Sequence, residues 1–194
     1  MEKIARQAFQ DNLALINIFL ENEQNFRQLV NIADDLAQCF IRGGKVLICG
    51  NGGSACDSMH FAEELTGRFR KNRKALPAIA LTDPGHLTCV GNDMGFDQVF
   101  ARGVEAYGGP GDFLIALSTS GNSANVIRAV EQAHKQQMDT ICLLGKEGGK
   151  LKGQATHEIV IPGIHADRIQ EIHMLILHVV IELLERMLFP EIYS

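Results

Sequence analysis

The chain has 194 residues, 46% of them apolar and 21% charged, which allows one domain with a substantial core and excludes a disordered chain. Its net charge is −5 with no long basic run, which argues against general nucleic-acid affinity. No stretch reaches about 18 uninterrupted apolar residues, so no membrane span is expected; the nearest, 172–189, is broken by His173, His178, Glu182, Glu185 and Arg186.

Five cysteines (Cys39, Cys49, Cys56, Cys89 and Cys142) are odd in number, widely spaced and without a C-x-x-C pair. Reduced thiols in a cytoplasmic protein fit that pattern best. The N-terminal stretch is interrupted by Glu2, Asp11 and Asn12 and lacks the basic and apolar regions of a signal peptide.

Helix-spaced apolar positions occupy 3–21 (Ala5, Phe9, Leu13, Ile16, Leu20) and 25–42 (Phe26, Leu29, Ile32, Leu36, Phe40), and Gly43-Gly44 ends the second helix. KVLICG (45–50) reads as a buried strand, followed by NGGSACDS and a helix to about Thr66. The basic segment Arg68–Lys74 reads mostly as a solvated loop. PAIAL (77–81) is a second strand, 85–92 a short helix, and 96–107 another helix or its continuation. DFLIALS (112–118) is the third strand, Ser123–Gln136 an amphipathic helix, and 139–145 and 157–162 the last strands. A long helix covers 166–188.

The strands are apolar runs without alternation, as in a parallel sheet covered on both faces. The expected fold is a doubly wound, flavodoxin-like α/β sandwich with five parallel strands, an N-terminal helical pair and a long C-terminal helix. The whole chain, 1–194, reads as one domain, with 1–42 as oligomerisation helices and 43–194 as the sandwich. The terminal helix is apolar around most of its circumference, so it lies centrally or packs between subunits.

Ligands of doubly wound sheets bind beyond the carboxyl ends of the strands. Two loops there have suitable chemistry: Asn51-Gly52-Gly53-Ser54 after the first strand, and Ser118-Thr119-Ser120-Gly121-Asn122-Ser123 after the third. Hydroxyls and backbone N–H groups at a helix start, without Lys, suit the phosphate of a small metabolite. The first loop has neither dinucleotide spacing nor the G-K-[ST] of a P-loop. Either loop alone is also what an ordinary helix N-cap with turn glycines looks like. A third loop, Val90-Gly91-Asn92-Asp93, adds an amide and a carboxylate for sugar hydroxyls.

His60 and Glu64 are four residues apart on one helix face, with Asp57 one turn earlier; a His and a carboxylate so placed suit Zn²⁺. The terminal helix adds Gln170, His173 and His178. His178 lies in an apolar run, where a lone histidine is ordinarily a satisfied core residue. Gln170 and His178, eight apart, are separated by about 12 Å along a straight helix. A metal site using both requires an irregular helix or a second subunit.

Taken together, CGNGGS, MHFAEELTGRF, CVGND, STSGNSANV and ADRIQEIH resemble the phosphoheptose isomerases of the sugar-isomerase (SIS) domain superfamily, over nearly the whole chain. The resemblance implies conversion of sedoheptulose 7-phosphate into D-glycero-D-manno-heptose 7-phosphate, a step feeding ADP-heptose for lipopolysaccharide core. It implies one Zn²⁺ per subunit, held by His60, Glu64, Gln170 and His178, and phosphate binding by Ser118, Thr119, Ser120 and Ser123. Asn51, Gly52, Gly53, Asn92 and Asp93 would contact the sugar, with Arg68 nearby. The family is homotetrameric with active sites between subunits.

Moving a hydrogen between carbons 1 and 2 requires an acid and a base, and Glu64 and His178 are the expected catalytic pair, acting through an enediol. A related branch comprises non-catalytic tetramers that bind the replication initiator DnaA, and RIQEIHML and the terminal LFP are similar to it. The presence of His60, Glu64, Gln170 and His178 together favours the enzyme.

Overall fold

The computed structural model describes residues 1–193. Two helix-spaced apolar patterns open the chain as α1 (Glu2–Leu20) and α2 (Glu23–Ile41), the second capped by Asn22, whose side chain accepts from the Gln24 N–H. There follow β1 (Val46–Gly50), α3 (Gly53–Thr66), β2 (Ala78–Ala80), α4 (Pro84–Asp93), α5 (Val99–Tyr107), β3 (Phe113–Ser118), α6 (Ala124–Lys135), β4 (Asp139–Gly145), β5 (His157–Ile161) and α7 (Ala166–Leu188). One-turn 3₁₀ helices at Phe96–Gln98, Gly149–Leu151 and Pro190–Ile192 complete the described chain; sequence periodicity is blind to segments this short.

All strand pairs are parallel, in the order β2-β1-β3-β4-β5. Successive strand residues face opposite layers. Val46, Ile48, Phe113, Ile115, Leu117, Ile141 and Leu143 join one core with α1, α2, α3 and α7. Leu47, Cys49, Leu114, Ala116, Cys142 and Leu144 join the other with α4, α5 and α6. Cys39, Cys49 and Cys142 are buried free thiols, and burial pushes Cys39 up to about 11 and Cys142 to about 12; they are core residues, not reactive ones.

Helix α7 lies centrally in the first layer, burying Ile169, Ile172, Ile176, Val180 and Leu184. Leu175 at 46% exposed is left outside. Helix α1 differs from its apolar pattern: of its residues only Leu15 is buried, while Phe9 is 80% and Leu13 55% exposed.

Three local expectations are corrected. Asn92 and Asp93 lie in the last turn of α4, not in a loop: Asp83 caps that helix by accepting from the His86 N–H, Pro84 pre-sets its first turn, and its hydrogen bonding carries through to Met94. Gly53 and Ser54 already belong to α3. Arg73, in the supposedly solvated basic segment, is buried: its side chain is 1% exposed and paired with Glu185, itself 0% exposed.

Candidate active site

The chain leaves β1 toward β2 at one edge of the sheet and resumes in β3 on the other side of β1. The loops after β1 and β3 therefore flank the switch point, where doubly wound sheets open a crevice. The two loops are physically joined. Asn51 Nδ2 donates to Asn125 Oδ1, and Asn125 Nδ2 donates to Asn51 Oδ1, each at 2.8 Å. Asn125 was not among the sequence-predicted site residues. Its signal was present: a polar residue on the buried face of α6, four residues before Ala129.

The β3 loop is built from its own hydroxyls. Ser118 Oγ lies 3.3 Å from Ser123 Oγ and accepts from the Gly121 N–H. Ser120 Oγ accepts from the Asn122 N–H. Ser123 holds the N-cap position of α6 but its side chain caps nothing in the helix; the Val126 N–H donates to Asn125 Oδ1, which leaves the Ala124 and Asn125 N–H groups for an anion. Thr119 and Ser120 are half-buried. Gly121 has φ +64°, and a Cβ there would fall 1.7 Å from the Gly148 carbonyl oxygen. Only glycine lets the loop after β4 press this close.

The loop after β1 is covered by α7. Gln170 Nε2 is 3.3 Å from Ser54 Oγ, and a Cβ on Gly53 would lie 2.4 Å from Gln170 Oε1. Gly52 has φ +56° and precedes α3 as its N-cap residue.

About two and three turns into α3, His60 and Glu64 meet His178 of α7. Nitrogen or carboxylate-oxygen atoms of the three lie within 4.8 Å of one another. His60 Nε2 is 3.3 Å from a Glu64 oxygen, close to the spacing of two ligands about 2.1 Å from one tetrahedral ion. The His60 and His178 rings meet edge to face, 5.0 Å apart, and Phe69 stacks on His178 at 5.8 Å. Loss of hydration lowers the His178 pKa, helped by His60 and Arg70 and opposed by Glu64. A neutral imidazole is the form that binds metals or accepts protons. Asp57 is shifted the other way by burial, against the pull of His60, and its Oδ2 is buried without a protein partner. Two imidazoles and a carboxylate are a donor set that Zn²⁺ accepts.

The four residues expected to share a metal are not all gathered within one chain. Gln170 engages Ser54, and His178 is about 12 Å further along a regular α7. Asn92 and Asp93 are exposed; Asn92 Nδ2 donates to Asp93 Oδ1, and no hydrogen bond joins them to the loops after β1 and β3. Arg68 is exposed and makes no ion pair among the described residues. Of the two histidines of α7, His173 is the satisfied core residue, 0% exposed with Nε2 2.9 Å from the Leu144 carbonyl oxygen.

A parallel 2-1-3-4-5 sheet with glycine- and hydroxyl-rich loops at its switch point defines a doubly wound α/β domain, and residues 9–145 match the SIS domain family. Two relatives named phosphoheptose isomerase are similar over almost their full length. The Fusobacterium nucleatum protein is 57% identical over 186 residues, covering 96% of each chain. The Vibrio cholerae protein is 50% identical, covering 95% of this chain and 97% of its own. Among solved structures, phosphoheptose isomerase GmhA from Neisseria gonorrhoeae is similar at TM-score 0.86 and 39% identity, covering 94% of this chain and 98% of that one. A phosphoheptose isomerase from Francisella tularensis matches at TM-score 0.88 and 37% identity, covering 95% and 97%. This chain belongs to the phosphoheptose isomerase family of SIS-domain proteins.

Proposed function

We propose that the protein isomerises sedoheptulose 7-phosphate to D-glycero-D-manno-heptose 7-phosphate, in the cytoplasm and toward ADP-heptose. The observation that carries this reading is the convergence of His60, Glu64 and His178 from two helices in a chain so close to named phosphoheptose isomerases.

Ser118, Thr119, Ser120 and Ser123, with the free N–H groups of α6, anchor the phosphate. Asn51, Gly52 and Gly53 line the approach to the sugar. Anchoring the unreactive end sets carbons 1 and 2 against the acid–base pair and removes much of the orientational entropy from the barrier. A base takes a proton from C1 of the open-chain ketose, the freed electron pair forms the C1–C2 double bond, and the carbonyl oxygen is protonated. The cis-enediol then loses its O1 proton as C2 accepts one. Glu64 and His178 share these transfers; the lowered pKa of His178 keeps it able to accept at neutral pH. His60, Glu64 and His178 would hold a Zn²⁺ ion, which would supply Lewis acidity.

Gln170, Asn92, Asp93 and Arg68 complete the site from a neighbouring subunit in a homotetramer. The exposed Phe9 and Leu13 of α1, and Leu175 of α7, supply apolar surface for that assembly.

Incubating the protein with sedoheptulose 7-phosphate, with and without chelator, tests the reading. Loss of ketose that stops on chelation and returns with Zn²⁺ is expected. No turnover by metal-loaded protein overturns the function, and unchanged turnover by protein shown to be metal-free overturns the metal.

A further inference from the structure

Helices α3 and α7 each bring part of the metal-competent trio, so the trio exists only while their spacing is fixed. At the loop end the seam is tied by Gln170 to Ser54. At the other end stands a buried ion pair. Arg73 Nε donates to Glu185 Oε1 at 2.7 Å. Its Nη2 donates to the Glu64 carbonyl oxygen at 2.6 Å and its Nη1 to the Leu65 carbonyl oxygen at 2.7 Å, with longer contacts to Gly67 and Lys74 at 3.3 Å. The Glu64, Leu65 and Gly67 carbonyls close α3, where an α-helix has no partners of its own and favours a cation. The second oxygen of Glu185 accepts from the Tyr193 hydroxyl. Glu185 lies seven residues beyond His178, two turns along the same helix.

We propose that Arg73 is a positioning residue for this centre: its guanidinium, bridging the Glu64 backbone on α3 and Glu185 on α7, sets how far His60 and Glu64 stand from His178. The proposal rests on the isomerase reading for its kinetic part and not for its metal-binding part. A buried ion pair is weak as a stability device, since apolar residues of similar volume often replace one without loss. What apolar residues cannot do is fork between two helices, and neither can lysine, whose ammonium lacks the planar array of donors. Phe61, Leu65, Leu177 and Ile181 belong to the core that holds the helices together, but apolar packing is non-directional.

The test uses Arg73→Lys and the double variant Arg73→Met/Glu185→Met, with Val104→Ala, in the other core, as a control for general destabilisation. Zn²⁺ affinity of the metal-free proteins is measured by competition with a chromophoric chelator, alongside Tm and steady-state kinetics. Arg73→Lys is expected to bind Zn²⁺ about tenfold more weakly, the size typical of lost outer-shell support. It is expected to lose kcat with KM within about twofold, because the phosphate loop after β3 does not touch Arg73. The double variant is expected to recover Tm but not Zn²⁺ affinity, and Val104→Ala to lose Tm alone. Wild-type Zn²⁺ affinity in Arg73→Lys, or its full recovery in the double variant, overturns the proposal and leaves Arg73 a stabilising residue. Should Arg73→Lys not fold, the double variant carries the same decision. Failure of the wild-type protein to isomerise would remove the function and leave the metal result standing.

Discussion

Asn51 and Asn125 exchange two hydrogen bonds of 2.8 Å, and through them the loop after β1 is bolted to the first turn of α6. Asn125 Oδ1 also accepts from the Val126 N–H. One buried amide thus holds the loops on the two sides of the crevice in register.

Replacing Asn125 with Ala leaves the Asn51 amide without either partner. A lost buried hydrogen bond costs roughly 1–2 kcal/mol, and the loops proposed to meet the substrate lose their tie. KM for the sugar phosphate should rise about tenfold, the equivalent of that free energy, with a modest fall in Tm. Steady-state kinetics beside a thermal melt decide the matter; an unchanged KM would show that the loops hold their places unaided.

Much of this was legible in the sequence, and the exceptions have physical causes. Strand β4 and helix α7 read to the residue, because their apolar patterns start and stop abruptly. The α4 terminus did not, since Gly91-Asn92-Asp93 is turn-prone locally and becomes helical only in its tertiary setting. Arg73 looked solvated because its partner Glu185 is 112 residues away. Helical phase, if followed, separates the two histidines of α7: His173 shares a face with Ile169, Ile172 and Ile176, whereas His178 is turned toward α3 and His60. The trio itself could not be read from one element, because it needs α3 and α7 side by side.

Glu64→Gln keeps the size and half-buried packing of the side chain while removing its charge and basicity. General acid–base groups contribute about 10²–10⁴-fold, so turnover should fall by at least about a hundredfold with fold and assembly retained. Circular dichroism and size-exclusion chromatography establish the second point. Near-normal turnover would take Glu64 out of the chemistry.

Phe9 is 80% exposed on α1, where a charge costs an isolated chain almost nothing. If α1 packs against another copy, Phe9→Glu buries a charge without a partner there. Light scattering should then show dissociation, and activity should fall with it, since the site is proposed to draw residues from a neighbour. A variant that keeps the wild-type assembly excludes this face from the interface.

His173 makes a prediction about stability rather than turnover. Its ring is fully buried, Nε2–H donates to the Leu144 carbonyl oxygen, and Nδ1 has no partner, so a proton there would be a buried unpaired charge. Burial lowers its pKa from 6.5 to about 4, only partly offset by the bond to Leu144. Between those values the unfolded chain binds the proton and the folded chain does not. The contribution is therefore fully present above pH 6.5, declines as pH falls, and is gone by about pH 4. At 1.36 kcal/mol per unit the loss amounts to about 3 kcal/mol. His173→Gln keeps an N–H donor for Leu144 and cannot titrate. Urea unfolding at fixed protein concentration across pH 4–7 should show the wild-type losing more stability than the variant by that amount. Parallel curves would mean that His173 takes up its proton in the folded protein as readily as in the unfolded one.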